Sequence, residues 1–105
     1  MASATNRLEQ IQALLVKEPD DAFLNFGTAM ELAKAQRYDE SLARFDRVIT
    51  LDPNYVAAHF HKGKTLLSMG DVEAAKGVLR GGIEQASKCG EMHAKGEMQE
   101  LLDSL

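Results

Sequence analysis

Two prolines constrain this chain more than any other feature. Pro19 and Pro53 stand 34 residues apart, in the similar settings Lys17-Glu18-Pro19-Asp20-Asp21 and Leu51-Asp52-Pro53-Asn54-Tyr55. Proline ends a helix because its ring removes a backbone donor and clashes with the preceding turn. A proline that returns at a fixed interval therefore marks a recurring exit from helix, and a period of this size points to stacked repeats. Other positions keep the interval. Tyr38-Asp39-Glu40-Ser41-Leu42 precedes Val72-Glu73-Ala74-Ala75-Lys76 by 34 residues, and Phe45 precedes Leu79 by the same step. Gly27 and Gly63 are 36 apart, which suggests two extra residues between Gly27 and Tyr38, in a longer first helix or turn.

Hydrophobic spacing between these markers is helical throughout. Leu8, Ile11 and Leu15 predict a helix over residues 4–18, stopped by Pro19. Asp20 or Asp21 caps a second helix to about residue 35, whose expected inward stripe is Phe23, Phe26, Gly27 and Met30. Leu42, Phe45, Val48 and Ile49 give a third over 38–51, and a fourth over 56–69 ends at Gly70. Asp71 caps a fifth that runs to about residue 88 and closes at Gly90. A sixth, over 91–105, shows Ala94, Met98, Leu101 and Leu105 on one face. No segment alternates with period two for long enough to suggest a strand.

A 34-residue helix-turn-helix with large, small and small-x3-aromatic positions before a proline resembles the tetratricopeptide repeat family over residues 22–86. The resemblance implies an all-α fold, a right-handed α-α superhelix of about six helices, in one domain over 1–105. Phe23, Phe26, Gly27 and Met30, then Tyr38, Ser41, Phe45, Val48 and Pro53, match repeat one, residues 22–53. His59, Lys62, Gly63 and Leu66, then Val72, Ala75, Leu79 and Gly82, match repeat two, residues 56–88. Small residues at Gly27, Ser41, Gly63 and Ala75 let neighbouring helices approach closely. His59, Lys62 and Gly82 depart from the family's preferences, and Ser87 stands where a third proline would fall. These departures suggest that the stack ends here, with residues 4–18 as a half-repeat and 91–105 as a capping helix.

Composition narrows the function classes. Leu, Ile, Val and Phe supply 25 of 105 residues, enough for a core, and the net charge of −4 disfavours nucleic acid as a partner. A single cysteine asks for no oxidising compartment. No apolar run is long enough to span a bilayer, and the polar start Met1-Ala2-Ser3-Ala4 offers neither a signal core nor a myristoylation glycine. The expectation is a cytoplasmic protein with no membrane partner.

Catalytic and metal-binding patterns are also wanting. Gly77, Gly81 and Gly82 lie inside a predicted helix, so they form no phosphate loop; close approach by the last helix is the simpler account. His59 and His61, two apart on a helix, face about 200° away from one another and do not make a ligand pair, even with Cys89 or His93 nearby. His59 reads as a partly buried packing residue and Cys89 as an ordinary loop cysteine. Helix capping accounts for Asp20 or Asp21, Asp39 and Asp71, and core filling for Met30, Met69, Met92 and Met98. The expectation is a protein that is not an enzyme and needs no cofactor or metal.

What is left is recognition. The resemblance places a concave partner-binding face on Leu24, Asn25, Thr28 and Glu31 of repeat one and on Phe60, His61, Lys64 and Leu67 of repeat two. It implies non-catalytic binding of a peptide or partner protein, with apolar area from Leu24, Phe60 and Leu67. One subtype of the family grips a chaperone's C-terminal carboxylate with lysine and asparagine; here Leu24 and Thr28 hold those positions, which disfavours that clamp. The alternative reading is a homodimerisation module that uses Val16, Leu102 and Leu105 near the chain ends, or an assembly subunit of a larger complex.

Overall fold

The computed structural model describes residues 4–105 and holds, among them, six α-helices and no strand. They fall into two compact units that meet in sequence between Asp52 and Pro53. The first contains α1 (Ala4–Lys17), α2 (Ala22–Lys34) and α3 (Tyr38–Leu51); the second contains α4 (Val56–Ser68), α5 (Val72–Cys89) and α6 (Met92–Asp103).

Local backbone chemistry sets the helix ends. Asp21 Oδ1 accepts the Leu24 amide at 2.8 Å to open α2, and Asp71 Oδ1 accepts the Ala74 amide at 3.2 Å to open α5. Asp39 is a first-turn residue of α3 rather than its cap, which is Arg37. Helix α4 closes through Gly70, with φ at +81°, and the Asp71 amide reaches back to the Leu66 carbonyl at 2.9 Å. Exactly one period earlier, Gln36 takes the same left-handed turn at φ +60°, and the Arg37 amide reaches the Leu32 carbonyl at 2.9 Å. The 34-residue interval thus extends to backbone geometry.

Packing in the first unit corrects the expected register of α2. Its buried residues are Asn25, Thr28, Ala29 and Leu32, while Phe23 is 69% exposed. A step of 34 from these four reaches His59, Lys62, Gly63 and Leu66. The counterpart of Gly63 is therefore Ala29, not Gly27, and no two-residue insertion exists. Polar side chains tolerate this burial because their partners are built in. Asn25 Nδ2 donates to the carbonyls of Pro19 at 3.0 Å and Asp21 at 2.9 Å, and its Oδ1 accepts from Arg44 at 3.0 Å. The Thr28 hydroxyl donates to the Leu24 carbonyl at 2.8 Å. Ser41 on α3 donates to the Ala29 carbonyl on α2 at 2.7 Å, so the two helices cross where both side chains are small. Phe45 fills the space beside them, edge-on to Phe26 with ring centres 5.9 Å apart. Gly27 does serve close approach, but against Ile11 of α1.

The second unit is built around Val56, Leu79, Ala86 and Met98, with Phe60, Ile83, Ala94, Leu101 and Leu102 packed against them. Phe45 and Leu79, one period apart, are both fully buried; such side chains contribute about 1.5–3 kcal/mol each. Three helices meet at Gly82, where a Cβ would lie 2.6 Å from Met98 Sδ of α6 and 2.8 Å from His59 Cβ of α4. Gly77 and Gly81 have no neighbouring atom within 4 Å of a Cβ position, so close approach explains one of the three glycines. Two further expectations fail. Met69 and Met92 are exposed, leaving Met98 as the fully buried methionine. Leu105 lies beyond the end of α6 and is exposed, and Leu102 takes its place against the core.

Candidate partner-binding site

Six of the eight residues expected to bind a partner are at least partly accessible. Asn25 and Thr28 are not: both are buried, and their polar atoms are committed to the internal hydrogen bonds given above. Their assignment to a binding face is corrected. The cause is the register of α2, since the positions one period before His61 and Lys64 are Gly27 and Met30 rather than Asn25 and Thr28. Leu24 and Glu31 line a cleft of about 390 Å3 between α1 and α2, together with Ile11, Phe23 and Met30.

In the second unit, Phe60, His61 and Lys64 come together. They line an open cleft of about 520 Å3 between α4 and α6, whose other wall carries Glu91, Ala94 and Glu97. Helical spacing explains both walls: Phe60, His61 and Lys64 fall within one turn of α4, as Ala94 and Glu97 do on α6. Asn54, Tyr55, Val56 and Ala57 complete its lining. Leu67, half-buried, lies a turn further along α4 and does not line this cleft. The sequence reading gave α6 a capping role and a self-association surface at Leu102 and Leu105, and so missed Glu91, Ala94 and Glu97 as a cleft wall.

The cleft mixes charge with apolar area. Lys64 Nζ stands 4.9 Å from the centre of the Phe60 ring, within cation–π range, and the His61 ring lies 5.6 Å from Phe60. Burial pushes the His61 imidazole below the ordinary histidine value; the Lys64 ammonium pushes the same way and the Glu97 carboxylate opposes both. Glu97 also stands 3.4 Å from His93 Nε2. On the far side of α4, His59 is pushed down chiefly by burial, and its Nε2 is enclosed without a hydrogen-bond partner. The two histidines therefore face different surroundings. Among the described residues, no three His, Cys, Asp or Glu side chains are grouped to hold a metal ion. Cys89, the last residue of α5, donates its thiol to Asn54 Oδ1 at 3.2 Å, an acceptor shared with Gln85 Nε2 at 2.7 Å. No helix of the described residues is long and apolar enough to cross a membrane.

Helix pairs returning every 34 residues, with small residues at their crossings and an open mixed cleft, define a helical-repeat protein. The tetratricopeptide repeat profile matches residues 32–95, and the chain belongs to that family. Its fold is generally a protein–protein interaction module. A TPR repeat-containing protein of Pseudomonas aeruginosa is 28% identical over 98 residues, 93% of each chain. The solution structure of a Bordetella parapertussis protein superposes with a TM-score of 0.84 at 26% identity, covering 99% of this chain and 88% of the other. The TPR2B domain of yeast Sti1, solved in complex with pHsp70, reaches 0.87 at 21% identity, covering 94% of this chain and 79% of that one.

Proposed function

We propose that this protein recognises a segment of another protein, without catalysis, and that the cleft between α4 and α6 is a principal point of contact. One observation carries the reading. Phe60, His61 and Lys64, singled out from sequence as partner-facing, line a single open cleft with Glu91, Ala94 and Glu97. Its volume of about 520 Å3 suits one or two side chains of an extended or helical segment. An apolar side chain would settle on Phe60 and Ala94, while Lys64 and the α6 carboxylates orient polar groups around it. With so small an anchor and the cost of ordering a peptide, affinity falls in the micromolar range, about −8 kcal/mol. The corresponding division of the chain is a half-repeat over 4–18, repeats over 22–53 and 56–88, and a capping helix over 91–105. Cys89 needs no oxidising surroundings, in keeping with a cytoplasmic encounter.

The test begins with peptides selected from a displayed library against the unmodified protein. Their binding to Phe60→Ala and Lys64→Glu variants is then measured by calorimetry. Both variants are expected to weaken binding at least about tenfold while helix content stays constant; exposed Lys64 leaves the melting temperature nearly unchanged on substitution, and Phe60, half-buried against the core, lowers it without unfolding the protein. Peptides that bind both folded variants as well as the parent would sink the assignment. If instead either change unfolds the protein, that residue belongs to the core.

A further inference from the structure

The α4–α6 cleft does not stop at Glu97. Phe60 and Glu97 also line a second opening, of about 360 Å3, that continues past Glu100 and Leu101 to Ser104. Two clefts that share these residues adjoin, and together they form one groove along α6. Ala94, Glu97 and Leu101 recur at steps of three and four, so one face of α6 serves as its wall throughout. Helix α6 has 12 residues, about 18 Å, which is the length of five or six residues of extended chain. Partly exposed Phe60, Ala94 and Leu101 make its lining apolar.

Charge along the groove identifies what it takes. Glu91, Glu97 and Glu100 stand on the α6 side, all three exposed. Among the described residues Glu91 and Glu100 form no ion pair. Glu97 stands 3.4 Å from the His93 ring, a solvent-open contact that holds neither group firmly. Opposite them the lining has one lysine, Lys64, and no arginine. His61 adds no charge at neutral pH, because burial holds it below the ordinary histidine value. Three carboxylates against one ammonium leave the groove acidic, which repels an acidic segment and draws a basic one. We infer that the groove takes an extended segment of another protein in which an apolar side chain is flanked by lysine or arginine. The apolar group packs on Phe60 and Leu101, and the neighbouring cation pairs with Glu97 and Glu100. Lys64, on the other wall, donates to main-chain carbonyls of the segment, so its reversal to glutamate weakens binding even though the partner is basic. This inference rests on the function proposed above and adds the partner's charge to it.

The peptides selected from the displayed library are the starting probes, and their consensus should place lysine or arginine within two residues of the apolar anchor. Versions with those basic residues replaced by glutamine or glutamate are then compared by fluorescence anisotropy at neutral pH and low salt. The basic version should bind about tenfold more tightly than the glutamine version, from two partly exposed charge pairs, and the glutamate version should bind most weakly. Glu97→Gln with Glu100→Gln, at exposed positions, should abolish the preference with circular dichroism unchanged. Glu97→Lys with Glu100→Lys should invert it. Salt at about 0.5 M, where screening acts within about 5 Å, should also remove it. Peptides that need Phe60 yet show no preference for basic residues overturn the inference and leave the proposed function standing. A basic preference that survives both double variants overturns it as well, since the cation then sits elsewhere. Peptides indifferent to Phe60→Ala, or a selection that yields none, defeat both readings.

Discussion

The glycines of α5 give two adjacent substitutions opposite signs. At Gly81 a methyl group would meet nothing within 4 Å, so Gly81→Ala adds only the backbone benefit of alanine in a helix, about 0.5–1 kcal/mol. At Gly82 the same methyl group would lie 2.6 Å from Met98 Sδ and 2.8 Å from His59 Cβ. The thioether can rotate, although Met98 is fully buried and has little room. His59 Cβ cannot rotate away, because it is fixed to the α4 backbone, so α4 or α5 must shift. Overpacking of this kind costs about 1–3 kcal/mol, which exceeds the helix benefit and leaves Gly82→Ala destabilised by about 1 kcal/mol. The two variants then differ by about 2 kcal/mol. At about 4–8 °C per kcal/mol for a domain of this size, their melting temperatures separate by roughly 10 °C. Thermal unfolding followed by far-ultraviolet circular dichroism measures the difference. If Gly82→Ala melts as high as Gly81→Ala, the three-helix approach at Gly82 is looser than described and the reasoning fails.

Three further substitutions probe other parts of the argument. Gln36→Gly should stabilise by about 1 kcal/mol, since Gln36 alone among the described non-glycine residues holds a positive φ; an unchanged urea midpoint would refute this. Asn25→Leu should destabilise by about 1–3 kcal/mol despite adding apolar volume, because it strands the Pro19 carbonyl and removes the acceptor of the Arg44 guanidinium; a gain in denaturant resistance would refute it. His59 and His61 both titrate below the ordinary value of 6.5, so the unfolded chain binds protons first as pH falls. The stability that their neutral forms contribute is complete above pH 6.5 and is lost progressively as pH falls through their folded values. The melting temperature should therefore drop from pH 7 to pH 5, and His59→Gln should flatten that drop in part; an equal slope in the variant would clear His59 of the effect.

Features that depend on the backbone alone were readable in advance. Pro19 and Pro53 cannot continue a helix, Asp21 and Asp71 carry an acceptor at capping reach, and Gly70 and Gly90 accept a positive φ. These are properties of one residue and its immediate neighbours, so they do not wait on tertiary structure. The helices accordingly begin and end within two residues of the expected positions. Which face of a helix turns inward is a different kind of question, since it is decided by whatever lies opposite. In α2 the hydrophobicity pattern chose Phe23, Phe26 and Met30, whereas the structure buries Asn25 and Thr28 because Pro19, Asp21, Leu24 and Arg44 satisfy them. No hydropathy count can foresee those partners. The signal that could have corrected the register was arithmetic: a period of 34 kept strictly from Gly63 lands on Ala29, and the apparent 36-residue step to Gly27 was the sign of a wrong pairing.

That inversion has an energetic consequence for the candidate surfaces. Placing small and polar side chains inward lets α2 and α3 approach to the distance set by the Ser41–Ala29 hydrogen bond, and it leaves Phe23 of α2 to the outside. Phe23 then keeps most of its ring in water, where burial would recover part of the roughly 1.5–3 kcal/mol that a phenylalanine side chain contributes when fully enclosed. A purely structural helix gains nothing from such a residue at that position, and a lysine or glutamate would serve its fold equally well. The same holds in part for Phe60, whose ring packs one side against the core of Val56, Leu79, Ala86 and Met98 and leaves the rest beside Lys64 on the α4 wall of the open cleft. Phe23 and Phe60 stand out for this reason. Their contribution to folding is below what their size allows, and the difference is available to a second molecule.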